Sequence, residues 1–179
     1  MKNKKFILMI HGHSCAGKSI VVETLMSKHE KLFMISADKI KRFISKYHRE
    51  KHAEVVYNLL TNLSKKAISK NFSLIVEGMG VAFLKKGIEF FKSLAKRNRM
   101  RFVEVNIETS FHIAKERFKE RLSEVKIRRG KISNKSHIRF KYLYCIYKKD
   151  KNEKISSFDS SKLSPKQIAN RIEKLISQN

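Results

Sequence analysis

Residues Gly12-His13-Ser14-Cys15-Ala16-Gly17-Lys18-Ser19 set two glycines, a lysine and a serine at the spacing G-x-x-x-x-G-K-S. Glycines let a short loop curl so that its backbone N–H groups point inward, and a helix N-terminus behind it adds a positive pole. A lysine in that setting reaches outer phosphate oxygens, and a serine hydroxyl suits Mg²⁺. Gly12 to Ser19 are therefore read as a phosphate cradle for ATP with Mg²⁺, with Lys18 acting on the transferred group and Ser19 on the metal. Cys15 is either a small filler or a thiol favoured by the helix N-terminus and Lys18. His11, His13, His48 and His52 lack the neighbours of a metal site in sequence and are assigned to structure or surface.

Such a loop needs a strand before it and a helix behind it. Lys5 to Ile10 is a short apolar run that reads as a buried strand, and Ser19 to His29 is helical with Val22, Leu25 and Met26 on one face. Leu32 to Ile35 forms a second strand. Asp38 opens a helical stretch to Ser69, broken near His48, whose expected buried face is Leu59, Leu60, Leu63 and Ala67. Phe72 to Val76 is a third strand, closed by Glu77-Gly78-Met79-Gly80. Phe83 to Arg97 is a helix with a stripe of Leu84, Ile88, Phe91 and Leu94 or Ala95. Arg101 to Ile107 is a fourth strand, and the helix Phe111 to Val125 presents Phe111, Ala114, Phe118 and Leu122. Lys154 to Phe158 is a weak fifth strand. Ser164-Pro165-Lys166-Gln167 combines a capping serine, a first-turn proline and the reciprocal glutamine of a helix start.

Strands alternating with helices predict one α/β domain over residues 1–179, with a parallel sheet covered on both faces. Ligands in such sheets collect at the carboxyl ends of the strands, which groups the Gly12 loop with Asp38, Glu77 and the segment after Ile107. Asp38 there is either the base that takes a proton from an attacking hydroxyl or the cap of the helix that follows. Glu77 ends an apolar strand, where a carboxylate needs a partner: Mg²⁺, directly or across a water, or the acceptor. Simple exposure at the strand end is the other reading. Arg117 and Arg121 share a helical face, with Arg128 and Arg129 shortly after. They either close on the charge of a moving phosphoryl group or belong to a solvated face with Lys115, Glu116, Lys119 and Glu120.

Composition sets outer bounds. With 41% hydrophobic residues in 179, a packed core is within reach, and no apolar run is long enough to cross a bilayer. Cys15 and Cys145 offer no disulfide framework, which points to a reduced, cytoplasmic protein. The 41 basic and 16 acidic residues give a charge of +25. That field attracts polyanions, nucleic acid among them, or else reflects a lysine-rich surface.

Taken together, these segments resemble the small P-loop kinases that phosphorylate hydroxyl groups, including the chloramphenicol phosphotransferase, zeta-toxin and polynucleotide kinase families. The likeness runs through the loop, "ISADKIKRF", "LIVEG", "AKERFKERL" and "FDSSKLSPKQIANRIEKLI". It implies a three-layer P-loop NTPase fold, with a five-stranded parallel sheet and a helical lid at roughly residues 117–149. It also implies that Asp38 activates the acceptor, that Arg117 and Arg121 begin the lid, and that Asp159 and Ser160 run past the adenine. Glu77 departs from the aspartate common at its position.

The acceptor stays open. A small-molecule hydroxyl is the first expectation, a polynucleotide 5′-hydroxyl the second, and an ATP-dependent nucleic-acid-binding protein without acceptor chemistry the third. Lys126 to Lys149 holds nine basic residues and no acid, interleaved with Phe140, Tyr142, Tyr144 and Tyr147. That pattern suits base stacking, yet Phe140, Leu143, Tyr144 and Tyr147 also have the spacing of a packed helix face.

Overall fold

In the computed structural model, the described residues are 5–78, 84–129, 140, 141, 144 and 155–178. In chain order they form β1 (Phe6–His11), α1 (Lys18–Met26), β2 (Leu32–Ser36), α2 (Ala37–Arg42), α3 (Arg49–Ser69) and β3 (Ser73–Glu77). After these come α4 (Leu84–Arg97), β4 (Arg101–Glu108), α5 (Phe111–Arg129), β5 (Ser156–Asp159) and α6 (Pro165–Ser177). The five strands make one sheet in the order β2-β3-β1-β4-β5. All four pairings are parallel.

The apolar run of β1 has neighbours on both edges and helices on both faces, as a central parallel strand requires. Its alternate side chains serve two cores. Phe6, Leu8 and Ile10 pack with Val21, Val22 and Leu25 of α1 and with Ile168 and Ile172 of α6. Ile7 and Met9 pack on the other face with Val56 and Leu60 of α3 and Phe91 of α4. The result is the three-layer α/β arrangement expected.

Local signals act as read at several ends. Ser164 Oγ accepts from the Gln167 backbone N–H at 3.2 Å, while Gln167 Oε1 accepts from the Ser164 N–H at 2.8 Å. The break near His48 is present, since α2 stops at Arg42 and α3 starts after an extended His48. The cap of α2 is Ser36, whose side chain accepts from the Lys39 N–H. Asp38 therefore lies inside the first turn and is not the cap.

One buried face differs from expectation. Leu59 and Leu63 are 44% and 45% exposed, whereas Val56, Leu60, Thr61, Ser64, Ala67 and Ile68 are buried. The helix turns its narrower side inward because small polar residues there satisfy themselves. Ser64 Oγ donates to Leu60 O at 2.7 Å and Thr61 Oγ1 donates to Asn58 O at 3.0 Å. A reading that follows the largest apolar residues misses that phase.

On α5, Ala114 is buried and Phe111 and Phe118 are half-buried. Phe140 is buried and stacks on Phe118 with centroids 4.4 Å apart and planes at 12°, so its ring belongs to the packing. Most of the expected lid, with Tyr142, Leu143, Cys145 and Tyr147, lies outside the described residues, as do Met79, Gly80, Phe83 and the side chains of Leu84, Arg128 and Arg129. Among the described residues, no helix is long and apolar enough to cross a membrane.

The phase of α3 is open to test by urea unfolding. Leu60→Ala should lower stability by about 2–5 kcal/mol, and Leu59→Gln should change it by less than about 0.5 kcal/mol. Equal losses would contradict the burial described.

Candidate active site

Because every strand runs the same way, the ends of β1, β2, β3, β4 and β5 meet at one edge of the sheet. The loop after β1 turns there at Gly12, with φ +145°. A Cβ at Gly12 would sit 2.2 Å from Ile107 O of β4, so only glycine allows this approach. Gly17, with φ +87°, is the left-handed entry to α1. The N-terminal N–H groups of α1 therefore face the loop.

Lys18 folds back under this loop and donates to Gly12 O and His13 O, each at 2.9 Å. Burial pushes its pKa down, while Glu77 and then Asp38 pull it back up. Both acids named from the sequence thus stand close enough to be felt at Lys18. Arg121 acts on Lys18 in the opposite sense.

Glu77, at the end of β3, is buried with 8% exposure, which rules out simple exposure at the strand end. Ser19 Oγ donates to Glu77 Oε1 at 3.2 Å, so a hydroxyl and a carboxylate meet at the start of α1. Oxygen pairs of this kind are what Mg²⁺ takes. Gly78 follows with φ +74°, and a Cβ there would lie 3.1 Å from Asp38 Oδ2. Asp38 therefore lies beside the turn after Glu77, with its side chain 66% exposed. Its carboxylate also accepts from Lys41 Nζ at 2.8 Å.

Arg117 makes contacts that the sequence did not disclose. Its guanidinium donates to Cys15 O (3.3 Å), Ser160 Oγ (3.0 Å) and Ser160 O (3.2 Å). It ties the phosphate loop to the turn after β5. Arg121, one helical turn on, is exposed. Asp159 Oδ1 accepts from the hydroxyl and the N–H of Ser161, and the hydroxyl bond above all holds its carboxyl below the ordinary range. Ser160 N–H donates to Glu108 O at 2.8 Å, so this turn is anchored to β4.

Ala16 is fully buried, while Ser14 and Cys15 are half-buried, with Ser14 Oγ 3.7 Å from Cys15 Sγ. His13 is buried under the loop. Its Nδ1 lies 2.8 Å from Ser14 O, and Nε2 lies 3.2 Å from Thr109 O and 3.3 Å from Thr109 N. The ring packs against Tyr144 at 4.5 Å, and Tyr144 Oη donates to Thr109 O at 3.2 Å. Thr109 belongs to the segment after Ile107 that was expected at these strand ends, whereas nothing local marked Tyr144 for this place. His11 pairs with Glu104 at 2.8 Å, and His52 Nδ1 accepts from the His48 N–H at 2.9 Å. Among the described residues, no group of three or more His, Cys, Asp or Glu could hold a metal ion.

A five-stranded parallel sheet with a G-x-x-x-x-G-K-S loop after its central strand marks a small P-loop kinase fold. The chain belongs to the AAA domain family AAA_33, whose model matches residues 7–132. No curated protein matches the chain. Among solved structures, a kinase candidate from Chloroflexus aurantiacus is 13% identical at a TM-score of 0.68, covering 96% of this chain and 98% of the other. The Mycobacterium tuberculosis APS kinase CysC in complex with AMPPNP and APS is 14% identical at a TM-score of 0.63, covering 98% and 99%. Chaetomium thermophilum Kti12 in complex with ADP-AlF3 is also 14% identical at 0.63, covering 96% and 100%. At such identities the likeness is one of fold.

Burial holds the His13 pKa below its ordinary value of 6.5. The unfolded chain therefore takes up a proton, as pH falls below about 6.5, that the folded loop resists, and stability drops over that window. The His13→Gln variant should lose less stability than wild type between about pH 6.5 and 5, read as the urea midpoint against pH. Parallel profiles would show that His13 does not carry this dependence.

Proposed function

We propose that residues 1–179 form a single kinase domain that transfers the γ-phosphate of ATP to a hydroxyl group of an acceptor. The observation that carries this reading is the meeting of Lys18, the Ser19–Glu77 pair and Asp38 at three neighbouring strand ends. The Gly12–Ser19 loop supplies inward N–H groups and a buried cation, which suit a triphosphate. Ser19 and Glu77, the latter directly or across a water, would hold Mg²⁺, which supplies neutralising charge to phosphate oxygens when bound.

Asp38 accepts the proton of the acceptor hydroxyl as that oxygen bonds to the γ-phosphorus. The bond from the γ-phosphorus to the β–γ bridging oxygen breaks, and ADP leaves. Lys41 Nζ, 2.8 Å from Asp38 Oδ1, orients the carboxylate until the hydroxyl takes its place. Lys18, exchanging its two carbonyl partners for phosphate oxygens, stabilises the charge that develops in transfer. Arg117 holds the loop against the Asp159–Ser160 turn, the segment assigned to the adenine side, and Arg121 adds positive charge from α5. The AMPPNP and ADP-AlF3 complexes of the structural neighbours support a nucleotide as a ligand of this fold.

Labelled ATP offered with nucleosides, oligonucleotides, sugars and antibiotics tests the reading. Asp38→Asn should lower transfer by about 10²–10⁴-fold while ATP affinity holds. Lys18→Ala should weaken ATP binding and abolish transfer. Unchanged turnover in Lys18→Ala would overturn the proposal.

A further inference from the structure

Asp38 stands at the head of a strongly cationic connection. From Lys39 to Lys51 the chain carries six lysines and arginines and one acid, Glu50. Lys41 is engaged with Asp38, while Lys39, Arg42, Lys46, Arg49 and Lys51 are exposed. Between Arg42 and Lys46 lies Phe43, the C-cap of α2, with 87% of its surface exposed. A phenylalanine left so open buys the fold nothing.

The arrangement suits a particular ligand chemistry. One phosphate calls for one or two converging cations, but five exposed cations strung along a connection match the repeated charges of a phosphodiester chain. An open aromatic ring among them is a stacking platform for a base. Phe43 is five residues beyond Asp38, about 7.5 Å along the helix axis and about 140° around it, so a chain must wrap α2 to touch both. A terminal nucleoside with its hydroxyl at Asp38 would leave the adjoining base within reach of the ring. The protein's +25 charge would draw such a chain in.

We propose that the α2–α3 connection binds the acceptor, and that the acceptor is single-stranded nucleic acid presenting a terminal hydroxyl to Asp38. This rests on the reading of Asp38 as the base of a hydroxyl kinase. It also moves the nucleic-acid surface from the aromatic stretch around Phe140, whose ring is packed, to the other side of the phosphate loop. Phe43 and the exposed cations bind and align the chain, and the proton and phosphoryl movements are those given above.

Binding is measured separately from transfer, by fluorescence anisotropy without ATP. The probe is an internally labelled single-stranded oligonucleotide of about twelve residues with free hydroxyls at both ends. Wild type should bind it with an affinity that falls steeply with salt. Phe43→Ala should weaken binding at least about fivefold. The Arg42→Gln/Arg49→Gln double variant should flatten the slope of log affinity against log salt by about 1.4. ATP affinity of each variant, read in parallel, reports an intact fold. Absence of oligonucleotide binding by wild type, or unchanged affinity and slope in both variants, would overturn the inference. Transfer to a small alcohol or nucleoside without oligonucleotide binding would sink this surface and leave the kinase standing. Variant-sensitive oligonucleotide binding with no transfer to any acceptor would support the surface and sink the kinase.

Discussion

A lysine ammonium buried beneath a loop must find compensation within a few ångströms, and the crevice is arranged around that need. Lys18 finds it in Gly12 O and His13 O, and in the charges of Glu77 and Asp38. Those groups come from the end of β1, the end of β3 and the first turn beyond β2. Their convergence depends on parallel register: Ile10 lies beside Glu77, and Ser36 beside the same residue from the other edge. The sheet is thus the frame that brings two carboxylates to one cation. A phosphate ester could replace the carbonyls without leaving the ammonium unpartnered.

Much of this was legible in the sequence wherever the signal was local. The loop, the capping box at Ser164 and the alternation of strands with helices each depend on a few adjacent residues, and each appears as read. What escaped was set by distant contacts. Arg117 could as well have closed on a phosphoryl group as lain on a solvated face, and its tie to Cys15 and Ser160 was hidden because both are far from it in sequence. Glu77 could have been an exposed strand end until Ser19 was found beside it. The phase of α3 escaped for a different reason. Hydropathy ranks Leu59 and Leu63 above Thr61 and Ser64, but it does not see hydroxyls bonded to the helix's own carbonyls.

The two flanks of the site use their side chains differently. On the side of α5, Arg117 turns inward and gives its donors to backbone and Ser160, the rings of Phe118 and Phe140 face each other, and Lys115, Lys119 and Arg121 are exposed. On the side of α2, cations and the Phe43 ring face solvent. Both flanks carry exposed cations, and of these four α5 cations Arg117 alone holds the loop in shape, while Asp38 stands on the flank of α2.

The pairing of β1 also bears on how the chain reaches this state. Ile7 lies beside Leu74 on one edge and beside Phe102 on the other. The strand that carries the phosphate loop has neither of its sheet neighbours until β3 has been made, and is flanked only once β4 follows. Pairings of such separation are slow to form. The loop at Gly12 packs against Ile107 O of β4, so its shape depends on a strand made well after it, and a chain interrupted before β4 would lack one wall of that cradle.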